Sequence, residues 1–154
     1  MSRKTNKICK QSGVIPYRVR DGKIEVLLIS TRKRQSWVIP KGGVCKGMTL
    51  PDSAAKEAWE EAGVVGQVNT EKIGVYQYHK RGNIYRVNLF LLPVEQVLED
   101  WPEATQRERI WLDINHAAMI VKGNSLKRIL QTSQDQVKIR NQKRKNSGVR
   151  SQNV

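Results

Sequence analysis

Apolar residues alternate with polar ones, or run together briefly, over residues 12–19 and 24–30, a pattern that predicts two strands. Arg20-Asp21-Gly22-Lys23 joins them, and an Asp-Gly pair predicts a tight hairpin because both residues tolerate a positive φ. Trp37-Val38-Ile39-Pro40 predicts a short buried strand stopped by proline, and residues 41–47, with three glycines, predict a loop. The pattern then changes to a helical period over residues 50–62. Thr49 is placed to cap that helix, with Asp52 in its first turn, and Gly63 to end it. Ala54, Ala58 and Ala62 form a small-residue stripe suited to close packing on a sheet.

Residues 66–79 and 84–94 predict two longer strands around Lys80-Arg81-Gly82-Asn83, with Tyr76, Tyr78 and Tyr85 spaced for cross-strand pairing. Residues 95–105 read as a connection and 109–112 as a short strand. Asp113 or Asn115 would cap a helix running through Val121, Gly123 would break it, and Asn124 or Ser125 would start another, ending near residue 131. The pattern divides the chain into a basic flexible arm (1–11), one folded domain (12–131) and a basic disordered tail (132–154) poor in apolar residues.

Composition adds to this picture through charge. The formal net charge is +14; residues 1–10 carry four positive and no negative groups, and residues 131–154 six positive and one negative, so the ends hold nine of the surplus. Such a surplus attracts polyanions and predicts phosphate-rich partners, with weak non-specific nucleic-acid association through the termini. No apolar run approaches the ~20 residues of a membrane span, and the basic start lacks a secretory apolar segment, so a cytoplasmic protein is expected. Cys9 and Cys45 lack the paired spacing of a zinc site, and a disulfide is not expected inside the cell.

Glu57, Glu60 and Glu61 stand at i, i+3 and i+4, within an arc of about 100° on an ideal helix. A solvated acidic face would explain such a triplet in isolation. Here the rest of the chain is strongly basic, and a glycine-rich loop enters the same helix, where backbone carbonyls and amides can approach an ion or a phosphate. Mutually repelling carboxylates are stabilised by a hard divalent cation among them.

Residues 42–64 resemble the Nudix box, G-x5-E-x7-R-E-U-x-E-E-x-G-U with U a bulky aliphatic residue. The box positions fall on Gly42, Met48, Lys56, Glu57, Ala58, Glu60, Glu61, Gly63 and Val64, with the spacing kept. Met48 stands in place of the first glutamate, Lys56 in place of arginine, and Ala58 is smaller than the pattern prefers. Outside the box, Glu25-Val26-Leu27-Leu28-Ile29-Ser30 with Arg32, Trp37-Val38-Ile39-Pro40, and Val97-Leu98-Glu99-Asp100-Trp101 followed by Arg109 and Trp111 extend the resemblance over residues 13–130. They resemble the branch that includes the diphosphoinositol polyphosphate and diadenosine polyphosphate hydrolases.

This resemblance implies an α/β (α+β) Nudix fold, a mixed β-sheet sandwiched between α-helices. It implies a catalytic set of Glu57, Glu60, Glu61 and Lys56, with Mg²⁺ or Mn²⁺ held by the three glutamates and the carbonyl of Gly42, and with Glu57 or Glu61 activating water. Met48 subtracts one charge from that shell, and Lys56 keeps a cation without the planar fork of arginine. Arg18, Arg20, Arg32, Lys33, Arg34, Lys41 and the backbone at Gly43 come from segments that the family fold places around the substrate entrance. His79 and Glu108 are weaker candidates for a catalytic group. Trp101 and Trp111 are candidates for stacking on a base, with core packing favoured for Trp111.

The function expected is hydrolysis of a phosphoanhydride bond in a diadenosine polyphosphate, a diphosphoinositol polyphosphate or a related nucleoside diphosphate derivative. Two alternatives stand beside it: a low-turnover sensor keeping the fold, suggested by Met48 and Lys56, and a nucleic-acid-associated protein acting through its basic ends.

Overall fold

The computed structural model describes residues 7–152. Asp21 (φ 52°) and Gly22 (φ 75°) form the tight turn that folds β1 (Ile8–Arg20) back on β2 (Lys23–Ser30). After β3 (Trp37–Val38), Pro40 stops the strand, and the chain resumes as β4 (Lys41–Gly43) against β1, with Ser12 opposite Gly42. This segment reads as loop in the sequence because its glycines carry no pattern; its pairing is with a distant strand.

The expected helix follows as α1 (Leu50–Glu57), with the Thr49 side chain accepting from Asp52 N–H. Its last turn, Ala58–Ala62, widens into a π-turn, and Gly63 (φ 64°) ends it as anticipated. Beyond β5 (Val64–Val65), Arg81 and Gly82 turn β6 (Lys72–Lys80) into β7 (Asn83–Pro93). Residues 66–71, expected to begin the first of these strands, run outside it. β8 (Gln96–Val97) pairs only with β5, and β9 (Arg109–Asp113) pairs with β2 before α2 (Ile114–Ile120) and α3 (Asn124–Gln152).

The main sheet runs β3-β2-β1-β7-β6, with β4 added to β1 and β9 to β2. It is mixed, because β1 and β7 run parallel while the other pairs are antiparallel. Strand alternation divides its side chains between two cores. Val14, Leu27, Ile29, Phe90 and Leu92 face α1, where the Ala54, Ala58 and Ala62 stripe is fully buried. Ile15, Val26, Leu28, Leu89 and Leu91 face α2 and α3. The sheet is therefore sandwiched between helices, as the family resemblance implied.

Both ends depart from the expected pattern. The strand begins at Ile8, inside the span read as an arm, because Ile8 pairs with Ile84 of β7. The third helix does not end near residue 131: Leu126, Leu130, Ser133 and Val137 recur at helical spacing and are all buried, and Arg140 pairs with Glu71 at 2.9 Å. One of those four positions is a serine, and only Val137 among the four lies beyond it, so the stripe is faint in a segment otherwise rich in charge. Among the described residues no helix is long and apolar enough to cross a membrane.

Candidate functional site

The site lies where β4 crosses the face of α1. Gly42 packs so closely on Glu57 that a Cβ there would sit 2.5 Å from both carboxylate oxygens, which gives this position a steric reason to be glycine. Glu57 and Glu61 are 8% and 9% exposed, so both acids of this inner face are nearly removed from water. One oxygen of Glu61 accepts the backbone N–H of Lys41 (3.0 Å), and the other meets Nη2 of Arg107 (3.4 Å). Burial nevertheless raises the Glu61 carboxyl to about 7, against the lowering pull of Arg107 and Lys41. Burial also raises Glu57, assisted by the charge of Glu60 and opposed by Lys56 and Arg107.

The third glutamate behaves differently. Glu60 forms an ion pair with Lys56 at 2.7 Å, one helical turn back, at the more exposed edge of the helix. The π-turn changes the angular offset that an ideal helix would give, and among the described residues no three acidic, histidine or cysteine side chains converge closely enough to hold a metal ion. The structure thus brings together Glu57, Glu61 and Gly42, with Glu60 and Lys56 beside them. Met48 is exposed.

Two nearly buried carboxylates against a glycine backbone make an oxygen-only donor set, of the kind that hard divalent cations favour. The donors fit such an ion: it would offset the loss of hydration that disfavours both charges. Nudix hydrolases generally require a divalent metal ion.

Cations crowd the same place. Arg107 is the residue that sequence reasoning missed. Its side chain, 10% exposed, pairs with Glu103 (2.9 Å) and Glu61 (3.4 Å) and donates to the Ser30 carbonyl (3.0 Å). Nothing local separates it from its neighbours in a polar segment; only the pairing of β9 with β2 aims it inward. Lys41 is held below the usual lysine range by burial, opposed by Glu61 and reinforced by Arg107, Lys80 and Lys122. Its Nζ lies 4.9 Å from the Tyr78 ring centre, and Tyr78 stacks on Tyr85 at 5.0 Å, the cross-strand pair expected.

The remaining candidates sit elsewhere or are already engaged. Arg18 pairs with Glu25 at 2.7 Å and covers Trp111 at 4.0 Å, and Arg20 is exposed at the hairpin end. Arg32 reaches Glu103 at 3.6 Å, Arg34 donates to the Thr105 carbonyl at 3.4 Å, and Lys33 is exposed between them. A Cβ at Gly43 would meet nothing within 4 Å, so its backbone borders open space. His79 and Glu108 are exposed. Trp101 donates its indole N–H to the Glu61 carbonyl (3.1 Å), and Arg109 covers one face of its ring at 3.8 Å.

A family model described as NUDIX domain matches residues 10–132. The protein Nudix hydrolase 12, mitochondrial, of Arabidopsis thaliana is 33% identical over 141 residues, covering 78% of this chain and 70% of its own length. Diphosphoinositol polyphosphate phosphohydrolase 2 of Rattus norvegicus is 33% identical over 101 residues, covering 64% and 55%. Several other plant Nudix hydrolases are matched over 55–64% of their lengths, so this chain spans less than two thirds of them. Mitochondrial and chloroplastic appear in several of these names, and the cytoplasmic expectation draws no support from them. In fold, a crystal structure of a C. elegans Ap4A hydrolase superposes with a TM-score of 0.70 at 22% identity, covering 84% of this chain and 98% of that one.

Proposed function

Because the chain belongs to the Nudix hydrolase family, we propose that it hydrolyses a phosphoanhydride bond in a diadenosine polyphosphate, a diphosphoinositol polyphosphate or a related nucleoside diphosphate derivative, with Mg²⁺ or Mn²⁺ as cofactor. The observation that carries this reading is the pair of nearly buried carboxylates, Glu57 and Glu61, packed against Gly42 and flanked by Lys41 and Arg107. The names of the rat relative and of the worm structural neighbour support the two substrate classes.

In this reading Glu57, Glu61 and the backbone of Gly42 hold the ion, with Glu60 at their edge. An ion held there would screen the phosphate oxygens and make a water more acidic. The same two carboxylates are the candidates to accept that water's proton. Arg107 keeps Glu61 oriented and presents its remaining charge to the substrate. Lys41, surrounded by other cations, gains most from an arriving polyphosphate, whose oxygens relieve that repulsion. Lys56 acts through Glu60, which its ion pair holds in place.

Mg²⁺-dependent phosphate release from a panel of diadenosine polyphosphates, diphosphoinositol polyphosphates and nucleoside diphosphate derivatives tests the proposal, with Glu61→Gln as control. We expect release by the wild type and a fall of at least about a hundredfold in the variant. No release from any of the panel by the wild type would favour a sensor instead.

A further inference from the structure

The last turn of a helix leaves carbonyls without partners inside the helix, and the end of this helix carries Glu61. Residues 98–109 supply a donor to each of four consecutive carbonyls there. Glu103 N–H donates to Glu60 (3.0 Å), the Trp101 indole to Glu61 (3.1 Å), Nη1 of Arg109 to Ala62 (2.9 Å) and Leu98 N–H to Gly63 (2.8 Å). Arg109 also lies over the Trp101 ring at 3.8 Å and donates to the Leu98 carbonyl at 2.6 Å, so it fixes the indole and the segment that bears it. A Cβ at Gly63 would come within 2.8 Å of both side chains, so the fit leaves no spare room.

What these donors hold is a π-turn, in which Gly63 N–H reaches Ala58 as well as Trp59. Such turns are short and uncommon, and need outside support. The same segment then returns to Glu61 from the other side, since Arg107 meets its carboxylate at 3.4 Å. Glu61 is therefore held at its carbonyl by Trp101 and at its carboxylate by Arg107.

We infer that Trp101, steadied by Arg109, is a positioning residue for Glu61: its indole N–H holds the widened turn and so sets where the Glu61 carboxylate stands beside Glu57. Trp101 touches no reacting atom, and its effect reaches the site through the helix backbone. The inference rests on the metal-site reading above. It differs from mere packing in one respect, because packing needs only the ring, whereas positioning needs the N–H.

Trp101→Phe separates the two by keeping an aromatic ring under Arg109 and deleting the donor. In the full chain, Mn²⁺ binding is followed by electron paramagnetic resonance of the free ion, alongside kcat, KM and Tm. One lost hydrogen bond to a buried carbonyl is worth about tenfold in an equilibrium constant. We expect Mn²⁺ affinity and kcat each to fall about tenfold, with the substrate KM changed less than about twofold. Arg109→Lys, which keeps the charge but cannot span two carbonyls, should weaken Mn²⁺ binding in the same direction; it carries the test alone if the first variant does not fold. Wild-type Mn²⁺ binding and kcat in a folded variant, with or without a lower Tm, would overturn the inference. A wild-type protein that binds no Mn²⁺ would instead overturn the metal-site reading on which it rests.

Discussion

Glu61 should make the protein less stable as the solution becomes more alkaline, in the absence of metal. Its carboxyl titrates at about 7 in the fold and near the ordinary 4.5 in the unfolded chain. Between those values the folded state retains a proton that the unfolded state has released, so stability falls as pH rises. The favourable contribution is whole below about 4.5 and gone above about 7. One pKa unit is worth 1.36 kcal/mol, so the complete span amounts to roughly 3 kcal/mol, most of which falls between pH 5 and pH 8. For a domain of this size that is on the order of 5–10 °C in Tm. Urea denaturation in EDTA at the two pH values, for the wild type and Glu61→Gln, isolates the effect. Glutamine leaves Arg107 with a constant deficit at both pH values, so the wild-type-minus-variant difference should change by roughly 2–3 kcal/mol. Adding Mn²⁺ should restore the wild type at pH 8 and do little at pH 5. A difference equal at both pH values would mean that Glu61 ionises as an ordinary surface acid, and the account of a charge-starved site would be refuted.

Gly42→Ala drives a methyl group into the Glu57 carboxylate, and we expect at least a tenfold loss of Mn²⁺ affinity, read by calorimetry, with the fold retained by circular dichroism. Val137 is fully buried although it follows the point where the sequence pattern fades, so Val137→Ala should cost about 2 kcal/mol in urea unfolding; an unchanged midpoint would place α3 beyond residue 131 outside the stabilised structure.

The elements that could be read from the sequence are those with local causes. Asp21-Gly22 and Arg81-Gly82 adopt positive φ because their chemistry permits it, and Thr49 and Gly63 bound their helix through contacts a few residues away. The inner acids Glu57 and Glu61 followed from spacing and family resemblance together. Arg107 was invisible because its role depends on a partner 46 positions away, and the Lys41–Gly43 strand because its pairing is with residues 11–13. An ideal helix makes Glu60 an equal of its neighbours, whereas the widened turn and the Lys56 ion pair set it apart. Trp101 is legible as part of the Leu98-Glu99-Asp100-Trp101 signature, but its hydrogen bond to the Glu61 carbonyl, 40 positions away, has no local signal.

The parallel contact between β1 and β7 has a kinetic consequence. Ile8 meets Ile84, 76 positions away, and the register continues to Tyr17 with Pro93. Closing so long a loop costs entropy before any contact repays it, so the middle of the sheet should assemble late, after both local hairpins. During synthesis the first strand leaves the ribosome long before its neighbour exists. Refolding from denaturant should accordingly show hairpin signals ahead of amide protection along residues 8–17.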